Sequence, residues 1–120
     1  MFIHSDRRIT DIQNEFNTIF PGLKIVFYAK KHTAHEGSAQ KNEYDPALTL
    51  GEIQTKKRTA EIELDDQLTI SQFEQIMENE FGLHVQVFRR SKNLWLQTTA
   101  TDDWTLEVQN RKGIHSTQNR

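Results

Sequence analysis

The 120-residue chain has no cysteine, two prolines, two methionines and five glycines. Without thiols, disulfides, thiolate metal sites and cysteine nucleophiles are excluded together. The glycines fall singly, so there is no glycine-rich loop of the kind that cradles phosphate. No apolar run approaches the roughly 18 residues that a membrane-crossing helix needs, and no series of charged, apolar and small residues marks a signal peptide. Apolar residues are scarce overall, at 35% beside 27% charged, with a mean hydropathy of -0.75. Any core must therefore be thin and strictly patterned. Acidic and basic residues nearly balance, leaving a formal net charge of -2, which argues against a generally basic nucleic-acid binder.

What the chain does contain is a pattern that occurs twice. Ile9, Ile12, Phe16 and Phe20 recur as Ile70, Phe73, Met77 and Phe81, each 61 positions on. Thr10 and Gln13 correspond to Ser71 and Glu74, and both pairs have the S/T-x-x-E/Q spacing of a helix capping box. Pro21-Gly22-Leu23 and Gly82-Leu83 follow. Beyond them Leu23, Ile25 and Phe27 stand against Leu83, Val85 and Val87 at an offset of 60. Leu48-Thr49-Leu50 corresponds to Trp104-Thr105-Leu106, and Met1 and Ile3 to Ile62 and Leu64. Agreement of helix face, cap, stop and strand phase favours an internal duplication over a chance likeness of two helix–strand units.

The apolar spacing predicts a helix from about Thr10 to Phe20 and a matching one ending at Gly82, with Gly22 and Gly82 as left-handed stops. Alternating strands follow at about 23–29 and 83–89. A third strand is expected at about 93–98, beyond a turn spanning Arg89–Asn93, with Leu94 and Leu96 on one face and Trp95 on the other. Residues 30–44 read as a long polar loop. Shorter helices are expected at about 46–56 and 103–112, with Pro46 in the first turn. Ala60, Ile62 and Leu64 alternate as the inner face of another strand, and Trp104 is assigned to the core. The predicted fold class is α+β, with a single domain over residues 1–113 and a disordered tail at 114–120. Two tandem pseudo-symmetric β-α-β-(β)-α units, about 1–58 and 59–113, share one core, their helices packed on a mixed or antiparallel sheet. A parallel first crossover is expected in each unit.

Chemistry-bearing residues are sparse. His32, His35 and Glu36 are the best metal-ligand candidates, since two imidazoles and a carboxylate within five residues suit zinc or nickel. Their i, i+3 spacing in a loop beside Lys30 and Lys31 departs from the helical i, i+4 pattern of zinc hydrolases, so solvated loop histidines are the plainer reading. His4, His84 and His115 are scattered. Asp65-Asp66 and Asp102-Asp103 precede helices and read as caps rather than as an acid–base pair, and Ser71 reads as a cap rather than a nucleophile.

The basic residues are more organised. Ten of the fifteen fall into Lys30-Lys31, Lys56-Lys57-Arg58, Arg89-Arg90 with Lys92, and Arg111-Lys112. Such clusters attract phosphates or acidic protein surfaces, although lysines also complement helix C-termini and guard sheet edges.

The segments Phe81-Gly82-Leu83-His84-Val85-Gln86-Val87-Phe88-Arg89 and Thr101-Asp102-Asp103-Trp104-Thr105-Leu106 resemble stretches of small bacterial proteins of the Bacteroidetes type. So do His35-Glu36-Gly37-Ser38 and Leu48-Thr49-Leu50-Gly51-Glu52-Ile53. The resemblance spans about residues 9–113 and implies a bacterial cytoplasmic protein; it carries no activity, cofactor or catalytic residue. The expected function is a non-enzymatic binding module without a cofactor, contacting a protein partner or a second copy of the chain. Its binding residues would be Lys30, Lys31, Arg89, Arg90, Lys92 and Trp95, together with the loop up to Tyr44. Weak nucleic-acid binding through the basic clusters is the alternative, and metal-dependent hydrolysis at His32, His35 and Glu36 ranks last.

Overall fold

A computed structural model of the chain describes residues 1–30 and 37–118. Four α-helices, α1 (Ile9–Ile19), α2 (Leu50–Ile53), α3 (Ile70–Phe81) and α4 (Leu106–Thr117), pack with two antiparallel sheets. Strands β1 (Phe2–Ile3) and β3 (Ala60–Glu61) form one short pair. Strands β2 (Leu23–Tyr28), β4 (His84–Ser91) and β5 (Leu94–Gln97) form a sheet in the order β2-β4-β5. The fold is α+β, as the sequence predicts. Among the described residues every strand pairing is antiparallel, and β1 lies outside the sheet that holds β2, so they contain no parallel crossover of the kind expected.

Each helix begins with a fully buried apolar residue: Ile9, Leu50, Ile70 and Leu106. The backbone explains this. A helix leaves its first amides without intrahelical partners, and here the helices meet in pairs that satisfy one another. Ile9 N–H donates to Leu48 O (2.9 Å) and Leu50 N–H to Arg7 O (2.8 Å). One residue further in, Thr10 N–H reaches Pro46 O (3.0 Å) and Gly51 N–H reaches Ser5 O (2.9 Å). The same four bonds join α3 to α4, from Ile70, Ser71, Leu106 and Glu107 to Trp104, Asp102, Leu68 and Asp66. Pro46 therefore lies in the turn before α2, where its carbonyl rather than its missing N–H matters.

Those turns also relocate the caps. In α3 the box is Thr69 with Gln72, two residues before the expected Ser71 with Glu74. Thr105 caps α4 through Val108 N–H, whereas Thr49, in the same position before α2, makes no side-chain cap bond. Gln13 and Glu74 instead tie helix to sheet: Gln13 donates to Ile25 O (3.0 Å), and the Glu74 carboxylate accepts from Val87 N–H (2.9 Å).

One cluster gathers Ile12 and Phe16 of α1, Phe73, Met77 and Phe81 of α3, and the inner faces of β2 and β4. Phe16 and Phe73 meet with centroids 5.3 Å apart, so elements from both halves of the chain share this core. The halves are nonetheless unequal, since α2 has four residues against twelve in α4, and β5 has no counterpart among the described residues.

Gly82 ends α3 in the left-handed region (φ 64°). Gly22 does not adopt that conformation; its lack of a side chain serves contact instead. A Cβ on Gly22 would stand 2.4 Å from Asn110 O, and one on Gly113 would stand 2.3 Å from Gly22 O. The turn before β2 thus lies directly on α4, latched by Gly22 N–H to Asn110 Oδ1 (2.7 Å). This contact carries α4 on through Thr117, well past the start of the expected tail at Ile114.

Two stability measurements check this account. Helix propensity alone favours Gly113→Ala by about 1 kcal/mol, but the contact with Gly22 reverses the sign, and a loss of about 1–3 kcal/mol is expected in urea unfolding. Thr69→Ala and Thr105→Ala should each cost about 1 kcal/mol, while Thr49→Ala should cost much less.

Candidate functional site

The β4–β5 hairpin and the last two turns of α4 enclose the basic region of the molecule. Strand β4 runs through to Ser91, and the turn is Lys92-Asn93, later than expected, with Lys92 at φ 55°. Ser116 pins this turn to the helix: its hydroxyl accepts from Lys92 N–H (3.0 Å), and its single proton lies within reach of both Gly113 O (2.7 Å) and Arg90 O (3.0 Å). Between hairpin and helix lies an open cleft of about 380 Å³ lined by Arg89, Arg90, Ser91, Lys112, His115 and Ser116. A second depression of about 450 Å³, lined in part by Arg90, Lys92 and Ser116, continues it along the hairpin.

The lining residues of both hollows include no carboxylate. Arg89 is oriented by Gln109 Oε1 (3.0 Å), whose amide is in turn held by Thr101. Arg90 donates through Nε to Lys92 O (2.6 Å) and lies over the Trp95 ring, 5.3 Å from its centroid. Lys112 sits over Trp104 at 5.3 Å. None of Arg89, Arg90, Lys92 and Lys112 forms an ion pair with a described carboxylate.

The other basic clusters are employed differently. Lys56 donates to Asn79 O (2.7 Å) near the end of α3, Lys57 to Gly51 O (2.5 Å), and Arg58 pairs with Glu80. These cations complement helix C-termini. Lys30 lies just beyond the Tyr28 end of β2, which the register places beside His84, at the opposite end of β4 from Arg89 and Arg90. The expected contact surface therefore divides. Arg89, Arg90, Lys92 and Trp95 are brought together, while Lys30 is separated from them by the length of the sheet. Lys31, His32, His35 and Glu36 lie outside the described residues. Among the described residues no cluster of metal-ligating side chains occurs.

The assignment of Trp104 changes. Trp104 is 36% exposed rather than in the core, and Leu94 and Leu96 are 62% and 43% exposed. Trp95 does lie on the opposite face, half-buried beside Lys24, whose ammonium is 5.0 Å from its ring and 5.3 Å from that of Phe88. The described part of the polar loop crosses this outer face. Ser38 exchanges two bonds with the Gln97 amide (3.0 Å each), and Tyr44 N–H and Ala29 N–H tie the returning chain to β2. Gln86, Val26 and Tyr28 are buried on this face as a result. Burial holds Lys24 below its ordinary value, with Glu43 opposing, and the Tyr28 phenol is pushed up to about 12 by burial, reinforced by Glu43.

His115 and Ser116 are the cleft residues that sequence reasoning assigned to a tail. The inner face of α4 is Leu106, Gln109 and Gly113, all buried, with Ser116 half-buried; it is spaced for a helix but mostly polar or small, so hydropathy carries little trace of it. No family model, no curated protein and no solved structure matches this chain.

The outer face has a measurable consequence. An unfolded chain ionises Tyr28 near the ordinary value of 10.0, whereas the folded chain holds the proton to about 12. Its contribution to stability is complete below the lower value and is lost as pH rises through the upper one. Ultraviolet titration should show one of the two tyrosines ionising late, and Tyr28→Phe should remove this part of the alkaline loss of stability.

Proposed function

We propose that this protein is a non-enzymatic interaction module that holds an acidic segment of a partner protein in the cleft between the β4–β5 hairpin and α4. The supporting observation is the gathering of Arg89, Arg90, Lys92 and Lys112, with His115, around open hollows whose lining includes no carboxylate. Keeping like charges together costs free energy, and an anionic partner relieves that cost while gaining charge-assisted hydrogen bonds, with Arg89 on the helix side of β4 already oriented by Gln109. Ser116, Gln109 and the hairpin turn hold the arginine-bearing strand and the lysine-bearing helix in fixed relation, so a ligand meets preset donors.

An acidic protein segment fits better than nucleic acid. Recognition of single strands relies on open aromatic faces on which bases stack. Here Trp95 lies under Lys24 and Arg90, and Trp104 under Lys112. The rings are occupied by the protein's own cations. No helix of the described residues is long and apolar enough to cross a membrane.

Fluorescence anisotropy with a labelled glutamate-rich peptide tests the reading. Binding should weaken steeply with added salt, and Arg90→Ala with Lys112→Ala should weaken it roughly tenfold. Lys56→Ala with Lys57→Ala should leave it unchanged. Absence of peptide binding, or tighter binding of a single-stranded oligonucleotide that survives salt, would overturn it.

A further inference from the structure

Strand β5 is the outer strand of its sheet, and the hairpin register determines which of its main-chain groups are used. The two-residue turn at Lys92-Asn93 makes Ser91 and Leu94 a hydrogen-bonded pair, followed by Arg89 with Leu96. Thr98 N–H continues the series to Val87 O at 3.2 Å. Arg90, between these positions, turns its N–H the other way, to Gly22 O at 2.9 Å. Leu94, Leu96 and Thr98 therefore bond inward, and Trp95 and Gln97 direct their main-chain N–H and C=O groups away from the sheet. Among the described residues, no hydrogen bond reaches those outward groups.

Sheet edges are usually guarded by charge, proline or a bulge. This one has none of them: residues 94–101 read Leu-Trp-Leu-Gln-Thr-Thr-Ala-Thr, without a charge, in a chain that is 27% charged. The exposed side chains of Leu94 and Leu96 add apolar surface on one face. Leu94-Trp95-Leu96 also reads the same in both directions.

We propose that two copies of this chain associate by antiparallel pairing of their β5 strands about a two-fold axis that passes between the two Trp95 residues, normal to the sheet. Parity limits the register, and the Leu94-Trp95-Leu96 palindrome selects the one centred on Trp95. Such a rotation keeps every side chain on its own face, so residues that oppose one another must both be leucine-face or both be tryptophan-face. Trp95 then faces Trp95 of the second copy and exchanges both main-chain bonds with it. Leu94 faces Leu96 of the second copy in a non-hydrogen-bonded pair, the type in which side chains approach closest. The palindrome makes a second copy a better occupant than an unrelated strand, because the same uncharged edge satisfies both sides. Sheet order becomes β2-β4-β5-β5-β4-β2.

Leu94 and Leu96 do not line the basic cleft, so this association and acidic-peptide binding are tested separately. Sedimentation equilibrium of the wild-type chain should show a dimer that grows with concentration. Leu94→Lys with Leu96→Lys, checked for folding by circular dichroism, should weaken it roughly tenfold or more by opposing like charges across the axis. The chain has no cysteine. Oxidation of a mixture of Leu94→Cys and Leu96→Cys chains should therefore give the mixed disulfide in excess over both symmetric ones. A wild-type chain that stays monomeric at millimolar concentration, a dimer unaffected by the lysines, or symmetric disulfides formed as readily as the mixed one would each overturn the proposal.

Discussion

Helix starts create a demand for hydrogen-bond acceptors, and this fold meets that demand by bringing the starts together. The first two amides of each helix donate to carbonyls in the turn that leads into the helix facing it. An interior helix end left without acceptors costs several hydrogen bonds' worth of free energy. Reciprocal pairing avoids that cost with no ligand and little side-chain help. It also explains why α2, only four residues long, is ordered: its two leading amides and its buried Leu50 are both fixed by α1. Short isolated helices are otherwise unstable in water.

Because Ile9, Leu50, Ile70 and Leu106 follow directly on these paired turns, the backbone pairing points all four toward the common core. The core is then closed by the Phe16–Phe73 contact and by the inner faces of β2 and β4. A chain with so little apolar material can fold this way because few of its apolar side chains are left outside. The exceptions are informative. Leu94, Leu96 and Trp104 lie on or next to the hairpin and α4, beside the basic cleft, whereas Phe2 and Ile19 lie on β1 and α1.

The close approach of Gly22 and Gly113 positions that part. It lets α4 lie against the turn before β2, and Ser116 then fastens the β4–β5 turn to the helix. Arg89 and Arg90 on the strand and Lys112 on the helix come together only through this contact. The basic cleft is thus a product of two glycines and a serine far more than of the cations themselves.

Helix faces, strand phases and the punctuation at Gly82 were legible from sequence, because they repeat at 3.6 or 2 residues and involve large apolar side chains. The long helix α4 was cut short in the reading because its inner face is Gln109, Gly113 and Ser116, residues that no hydropathy pattern distinguishes from a solvated end. Caps were placed two residues late at Ser71 because the S/T-x-x-E/Q spacing fits twice in this segment, and only the bonds to Asp102 and Trp104 carbonyls discriminate. The basic clusters were visible as runs of charge. Their division into helix-end partners at Lys56–Arg58 and cations at Arg89–Lys92 that form no ion pair among the described residues depends on which carbonyls and carboxylates lie within reach.

Local periodicity, then, determined the faces of α1 and α3 and the phases of β2 and β4, since those follow from short-range geometry and the expulsion of apolar surface from water. The antiparallel sheet order, the pairing of helix starts, the separation of Lys30 from Arg90 and the outer position of β5 in its sheet were decided only in three dimensions. Each depends on backbone groups distant in sequence finding one another, and every residue carries the same N–H and C=O whatever its side chain, proline alone excepted.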